Sequence, residues 1–208
     1  MTNPIYFDQI CPNLPIADPA NQAVRDDFAA TFTQKWPERT LSQSGYGPDD
    51  LATMLVTSQY LQRLALRHGE YVGPCLNGQA ASQITIAKTH FIASMQSVGD
   101  EKAALRAIRI WRERTALMVA LSDLAGREDM PQQMQRLSEA AQTVLSATIQ
   151  YLFRQAAQRG KIKNFDADLS GCGWTVLALG KLGAGELNFS SDIDLIMLHD
   201  TQHAPFGN

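Results

Sequence analysis

Between residues 101 and 158 apolar side chains recur at intervals of three, four and seven, and this periodicity constrains the 208-residue chain more than any other feature. Ala103, Ala107, Ile110, Leu117, Leu121 and Leu124 share one side of a helix expected over 101–124, preceded by Gly99-Asp100 and closed by Gly126. Met134, Leu137, Ala141, Leu145, Ile149, Leu152 and Ala156 form the expected buried face of a longer helix over 131–158, with Gly160 just beyond its end. Helices of this kind are stabilised mainly by burying such a stripe against neighbours.

The neighbours are found upstream. After an irregular, proline-rich lead-in over 1–19, Ala20, Val24, Phe28 and Phe32 recur every fourth residue, which predicts a helix over 20–36. The stretch from Pro37 to Pro48 is rich in turn residues. Pro48-Asp49-Asp50 then reads as a helix start, since acids in a first turn complement the helix dipole. Leu51, Met54, Leu55, Leu61, Leu64 and Ala65 continue it as one apolar stripe, ended by Arg67-His68-Gly69. Residues 71–81, with Gly73, Pro74 and Gly78, read as a loop, and Ser82 as the N-cap of a helix reaching 97. A helical bundle is the expected result.

Composition narrows the setting. Hydrophobic residues make up 45% and charged residues 19% of the chain, and the formal net charge is −3. That balance is ordinary for a folded soluble domain and lacks the basic excess of a nucleic-acid binder. Cys11, Cys75 and Cys172 are scattered and odd in number, which favours reduced thiols over a disulfide framework or a zinc site. No basic-then-apolar leader opens the chain and no apolar run approaches membrane-spanning length. A cytoplasmic protein with no membrane or nucleic-acid partner is expected.

Past Gly160 the pattern changes. Trp174–Leu179 (WTVLAL) is an apolar run of strand length and 193–198 is a second; between them lies GKLGAGELNFSSD. The fold class expected is therefore α+β and predominantly α. A helical region over 1–165 leads into strand, glycine-rich turn with a short helix, and strand over 166–208.

The chemistry concentrates in Ser190-Ser191-Asp192-Ile193-Asp194-Leu195. Strand side chains alternate, so on a strand Asp192 and Asp194 share a face, with Cα atoms roughly 6.5 Å apart, while Ile193 and Leu195 turn toward a core. Two carboxylates so placed suit a hard divalent cation such as Mg²⁺, which commonly binds through one or two carboxylates plus substrate phosphates. An isolated Asp-x-Asp also occurs as a solvated surface pair; its neighbours give this one its reading. Gly180 and Gly183 let backbone amides approach a ligand, and a glycine-rich turn opening a helix favours anions. Ser190 and Ser191 add donors, and Lys181 reads either as a phosphate contact or as a solvated loop lysine. The spacing fits neither a P-loop, where lysine follows the second glycine, nor the GxGxxG dinucleotide fingerprint.

GKLGAGELNFSSDIDLI resembles the signature of the bacterial glutamine synthetase adenylyltransferase/adenylyl-removing enzymes, members of the polymerase-beta-type nucleotidyltransferase superfamily. The wording around Asn188–Asp194 is similar to the N-terminal of that family's two catalytic copies, and LRAIRIWRERTALMVALSDLAG resembles the segment before it. The resemblance implies a metal-dependent enzyme that adds an adenylyl group to a tyrosine of glutamine synthetase or removes it by phosphorolysis. It implies Mg²⁺, ATP or ADP with phosphate, glutamine synthetase as target and a PII-type nitrogen signalling protein as regulator. Asp192 and Asp194 would bind the metal, and Gly180, Lys181, Gly183, Ser190 and Ser191 would surround the nucleotide or phosphate. The superfamily completes its site with a third carboxylate on a later strand. Asp200 shares the parity of Asp194, but six strand residues put it roughly 20 Å away, and nothing suitable lies in 201–208. The nucleotidyltransferase domain is therefore expected to be truncated. The alternative is a non-catalytic helical module that docks on glutamine synthetase or a regulator.

Other candidates read more plainly. Arg106, Arg109, Arg112 and Arg114 fit a solvated helix face, and His68, His90, His199 and His203 share no ligand spacing. Trp36, Trp111 and Trp174 are expected as core anchors.

Overall fold

A computed structural model describes residues 19–36, 41, 44–162 and 172–200. Seven α-helices come first: α1 (Pro19–Lys35), α2 (Pro48–Leu55), α3 (Gln59–Arg67), α4 (Val72–Leu76), α5 (Ala80–Ser97), α6 (Glu101–Leu124) and α7 (Met130–Gln158). Strand β1 (Trp174–Ala178), the single-turn helix α8 (Gly180–Ala184) and strand β2 (Leu195–His199) follow. The class is α+β and predominantly α, as the sequence predicts. The boundary expected near residue 165 lies outside the described residues.

The chain divides into two units, one made of the part up to Ile84 with Leu117–Glu128, the other of Thr85–Ala116 with Asp129 onward. In the first, Phe28 and Phe32 of α1 stack at 5.9 Å, and α1 packs against α2 and α3. The Trp36 indole donates from Nε1 to the Leu66 carbonyl at 3.1 Å and lies against Gly69, where a Cβ would fall well inside 3.0 Å of the ring. Leu51, Leu55, Val72, Leu76, Leu117 and Leu121 are fully buried here. Cys75 is buried among them, and burial, with the Glu128 charge adding to it, pushes its thiol up to about 12.

The expected single helix from 48 to 65 is interrupted. It ends at Leu55, and Ser58 restarts the chain as a new N-cap, its hydroxyl accepting from Leu61 N–H at 3.3 Å. A 3-10 turn (Gly69–Tyr71) leads into the expected loop at 71–81, which itself holds the short α4. Pro74 sits in the first turn of α4, where the missing N–H would have no intrahelical partner anyway. Ser82 is not the cap of α5. The helix starts two residues earlier, and the Ser82 hydroxyl donates back to Gln79 C=O at 2.9 Å. The C-terminal half of α6 is buried all round from Thr115 to Ser122, so its core side is wider than the stripe through Ala103 and Ala107, which are only half-buried.

The second unit builds on α5, the first half of α6 and α7. Phe91 stacks on Trp111 at 5.4 Å and 16°, and the Trp111 Nε1–H donates to Ala140 C=O at 3.2 Å. Arg154 donates to the Met95 and Val98 carbonyls at 2.8 and 3.3 Å, supplying partners at the end of α5. Helix α7 opens on a capping box: Asp129 Oδ1 accepts from Gln132 N–H at 2.9 Å and Gln132 Oε1 from Asp129 N–H at 3.0 Å. Its buried residues include Ser138, Thr143, Ala147, Tyr151 and Phe153, whereas Leu152, expected in the core, is 56% exposed.

Strands β1 and β2 pair antiparallel, Trp174 opposite His199 and Ala178 opposite Leu195. Directly opposed residues share a face. On one face Trp174, Val176, Ala178 and Leu195 are half-buried while Met197 and His199 are exposed, and Trp174 meets Phe153 of α7 edge-on at 5.7 Å. Leu177, Ile196 and Leu198 on the other face are exposed. Leu195 thus turns inward as expected; Ile193 does not and is exposed.

Candidate functional site

The site sits where β1 runs out. An apolar strand delivers the chain to Leu179, whose N–H donates to Asp194 C=O at 2.9 Å, one residue beyond the last paired residues of the ribbon. Gly180 then adopts φ +54°, a left-handed conformation that L side chains rarely adopt, and the chain turns into α8. The first helical hydrogen bond joins Gly183 N–H to Leu179 C=O at 3.0 Å, so the amides of 180–182 precede the helical ladder. Gly185, in αL, closes α8.

The two glycines singled out from sequence serve different ends. A Cβ on Gly180 would stand 3.6 Å from Asp194 Oδ2, so the Asp194 carboxylate lies beside the turn. A Cβ on Gly183 would sit 3.0 Å from the Ala178 carbonyl carbon and nearer still to its oxygen. Gly183 therefore lets α8 close onto the end of β1, its missing side chain facing the Ala178 carbonyl.

Asp192 and Asp194 are both exposed. Neither lies within β2, which begins at Leu195 and not at 193. Asp194 is held through its backbone pairing to Leu179, and Asp192 precedes that pairing in irregular chain. Asp200 donates from its N–H to Gly173 C=O at 2.7 Å, at the opposite end of the ribbon from Asp194. Among the described residues no group of three or more His, Cys, Asp or Glu is placed to hold a metal ion. Lys181 is exposed on α8.

The serines take part in a closed turn. Asn188 Oδ1 accepts from the Ser191 hydroxyl at 2.7 Å and from Ser190 N–H at 3.2 Å, and Ser191 N–H donates to Asn188 C=O at 3.3 Å. Asn side chains commonly capture N–H groups two residues on in this way. Ser191 is thus bound into the turn before Asp192. Sequence reasoning passed over Asn188, although an Asn two residues before a serine pair is a recognisable turn signal. It also missed Ser138 of α7, whose Oγ accepts from the buried Leu187 N–H at 3.1 Å.

A carboxylate beside a glycine turn, with unladdered amides next to it, can hold a hydrated divalent cation and a phosphate together. The comparisons with known proteins give the class: the matching family is one of adenylyltransferases, enzymes that transfer a nucleotidyl group. The family model for glutamate-ammonia ligase adenylyltransferase matches residues 49–207, and the chain belongs to that family.

A bifunctional glutamine synthetase adenylyltransferase/adenylyl-removing enzyme of Xanthobacter autotrophicus is 40% identical over 115 residues, 54% of this chain and 12% of that protein. Proteins of the same name from Mesorhizobium japonicum and Bartonella henselae are 31% identical over 77% of this chain and 29% identical over 100% of it. They are covered over 16% and 22% of their own lengths, so the chain spans less than a quarter of each of these relatives. No solved structure matches. No helix among the described residues is long and apolar enough to cross a membrane.

Proposed function

We propose that residues 174–200 form the phosphate- and metal-facing edge of a nucleotidyltransferase domain. In this reading the domain serves to add an adenylyl group to a tyrosine of glutamine synthetase or to remove it by phosphorolysis. The observation that carries the proposal is the Asp194 carboxylate beside the Gly180 turn, with its backbone tied to Leu179. Two exposed carboxylates fit a magnesium ion that keeps several waters and takes further oxygens from phosphate. When bound, such an ion would neutralise charge developing on the transferred phosphoryl group. Around it, the amides of 180–182 would orient phosphate oxygens and the Lys181 ammonium would add a mobile positive charge. The Asn188 turn would hold Ser190 and Ser191 beside Asp192.

ATP, or ADP with phosphate, would be the small substrates, glutamine synthetase the target and a PII-type protein the regulator, in the cytoplasm; the matched relatives' names support the target. In this reading residues 1–165 would be the helical region and residues from 166 the start of the nucleotidyltransferase domain, with α5, the first half of α6 and α7 in one compact unit with the two strands. A second reading, a helical module that docks without catalysing, is favoured by one observation: among the described residues no group of three or more His, Cys, Asp or Glu is placed to hold a metal ion.

Calorimetric titration of Mg²⁺ with ADP into this chain tests the proposal. Heat is expected from the native sequence and not from the Asp192→Asn/Asp194→Asn variant. Equal heats from both would end the metal-site reading and leave the docking module.

A further inference from the structure

We infer that Ser138, in the middle of α7, is a positioning residue that fixes the Asp192-bearing loop onto the helical layer. Its hydroxyl is almost fully buried and donates to Met134 C=O one turn back at 2.8 Å. That bond commits the hydroxyl proton, so the oxygen lone pairs are left to accept, and the Leu187 N–H meets them at 3.1 Å. Leu187 is itself 7% exposed, so its N–H has no ready access to water. Leu182 and Leu187, on either side of the Gly185 reversal, are both buried.

The consequence is mechanical. The eight residues from Leu187 to Asp194 are pinned at both ends, by Ser138 at one and by Leu179 N–H on Asp194 C=O at the other. Between the pins the Asn188–Ser191 turn takes up the slack. Removing the Ser138 acceptor frees the first pin and lets Asp192 wander relative to Asp194 and Gly180. The role in metal binding rests on the function proposed above; the tether itself does not.

Amide hydrogen exchange on the whole 208-residue chain, with Mn²⁺ titration followed by electron paramagnetic resonance, tests this. In Ser138→Ala and Ser138→Cys, amides of 187–191 should exchange about tenfold faster, with α5 and the Phe91–Trp111 region unchanged, since one buried hydrogen bond is lost locally. Ser138→Thr, which keeps the acceptor, should restore protection. Mn²⁺ affinity should fall several-fold in Ser138→Ala. Unchanged exchange at 187–191, acceleration spread evenly over the unit, or unaltered Mn²⁺ affinity where the native chain binds it, would overturn the positioning role. Mn²⁺ binding that Asp192→Asn/Asp194→Asn does not affect would instead sink the metal-site reading, and the exchange data would still decide the tether.

Discussion

Replacing Gly183 with alanine puts one methyl group where the structure has no room for it. The new Cβ would stand 3.0 Å from the Ala178 carbonyl carbon and inside that distance of its oxygen, a separation real Cβ atoms essentially never show. Both partners are backbone, so no side chain can rotate away, and α8 and β1 must part by about half an ångström or more. Overpacking costs about 1–3 kcal/mol, and a clash with backbone that cannot rotate away takes the upper part of that range, about 2–3 kcal/mol. Alanine recovers up to about 1 kcal/mol of helix propensity over glycine. A net loss of about 1–2 kcal/mol remains, equivalent to roughly a 5- to 30-fold shift in the local opening equilibrium.

The Leu179 amide reports this directly, because its partner is Asp194 C=O across the same junction. Its exchange should accelerate by that factor in Gly183→Ala. Gly99→Ala, where nothing lies within 4 Å of the built Cβ, should leave it unchanged. Equal Leu179 protection in Gly183→Ala and the native chain would refute the claim that this glycine exists for helix–strand closure.

Two further outcomes are expected in the first unit. Gly69→Ala drives a Cβ into the Trp36 ring and should break the Trp36–Leu66 hydrogen bond, lowering stability by about 1–3 kcal/mol and shifting Trp36 fluorescence to the red. For Cys75, a thiol raised from 9.0 to about 12 stays protonated in the folded chain while the unfolded chain ionises. Unfolding free energy should therefore fall as pH rises from about 9 toward 12, and Cys75→Ala should flatten that part of the profile in denaturant titrations.

Much of the helical architecture is legible because punctuation and periodicity agree. Gly99-Asp100 and Gly126 bracket α6, and Asp129-Met130-Pro131 with Gly160 bracket α7. Errors arise where a local signal has two meanings. The stripe from Leu51 to Ala65 runs unbroken through a helix break, because a capping serine at 58 looks like any other polar residue on a helix face. Pro74 signals a loop in most contexts but is tolerated in a first turn. Leu152 has helical spacing but the wrong azimuth, since Ala147, Tyr151 and Phe153 define the side that is buried.

At the site, the glycine turn and acidic pair are written in adjacent residues and can be read there. What holds them is not: Ser138 lies 49 positions before its partner Leu187, and the demand on Gly183 comes from a carbonyl oxygen that no side-chain pattern reveals. Strand alternation also carries the Asp pair further into β2 than the chain takes it, because the regular ladder begins only at Leu195.

The most direct test adds Mn²⁺ at substoichiometric amounts to the isotopically labelled chain and records which amide resonances broaden. If a cation sits between the acidic pair and the glycine turn, signals from 180–182 and 191–194 should disappear first, and the Asp192→Asn/Asp194→Asn variant should keep them. Broadening centred on other acidic residues, or identical in the variant, would contradict the account.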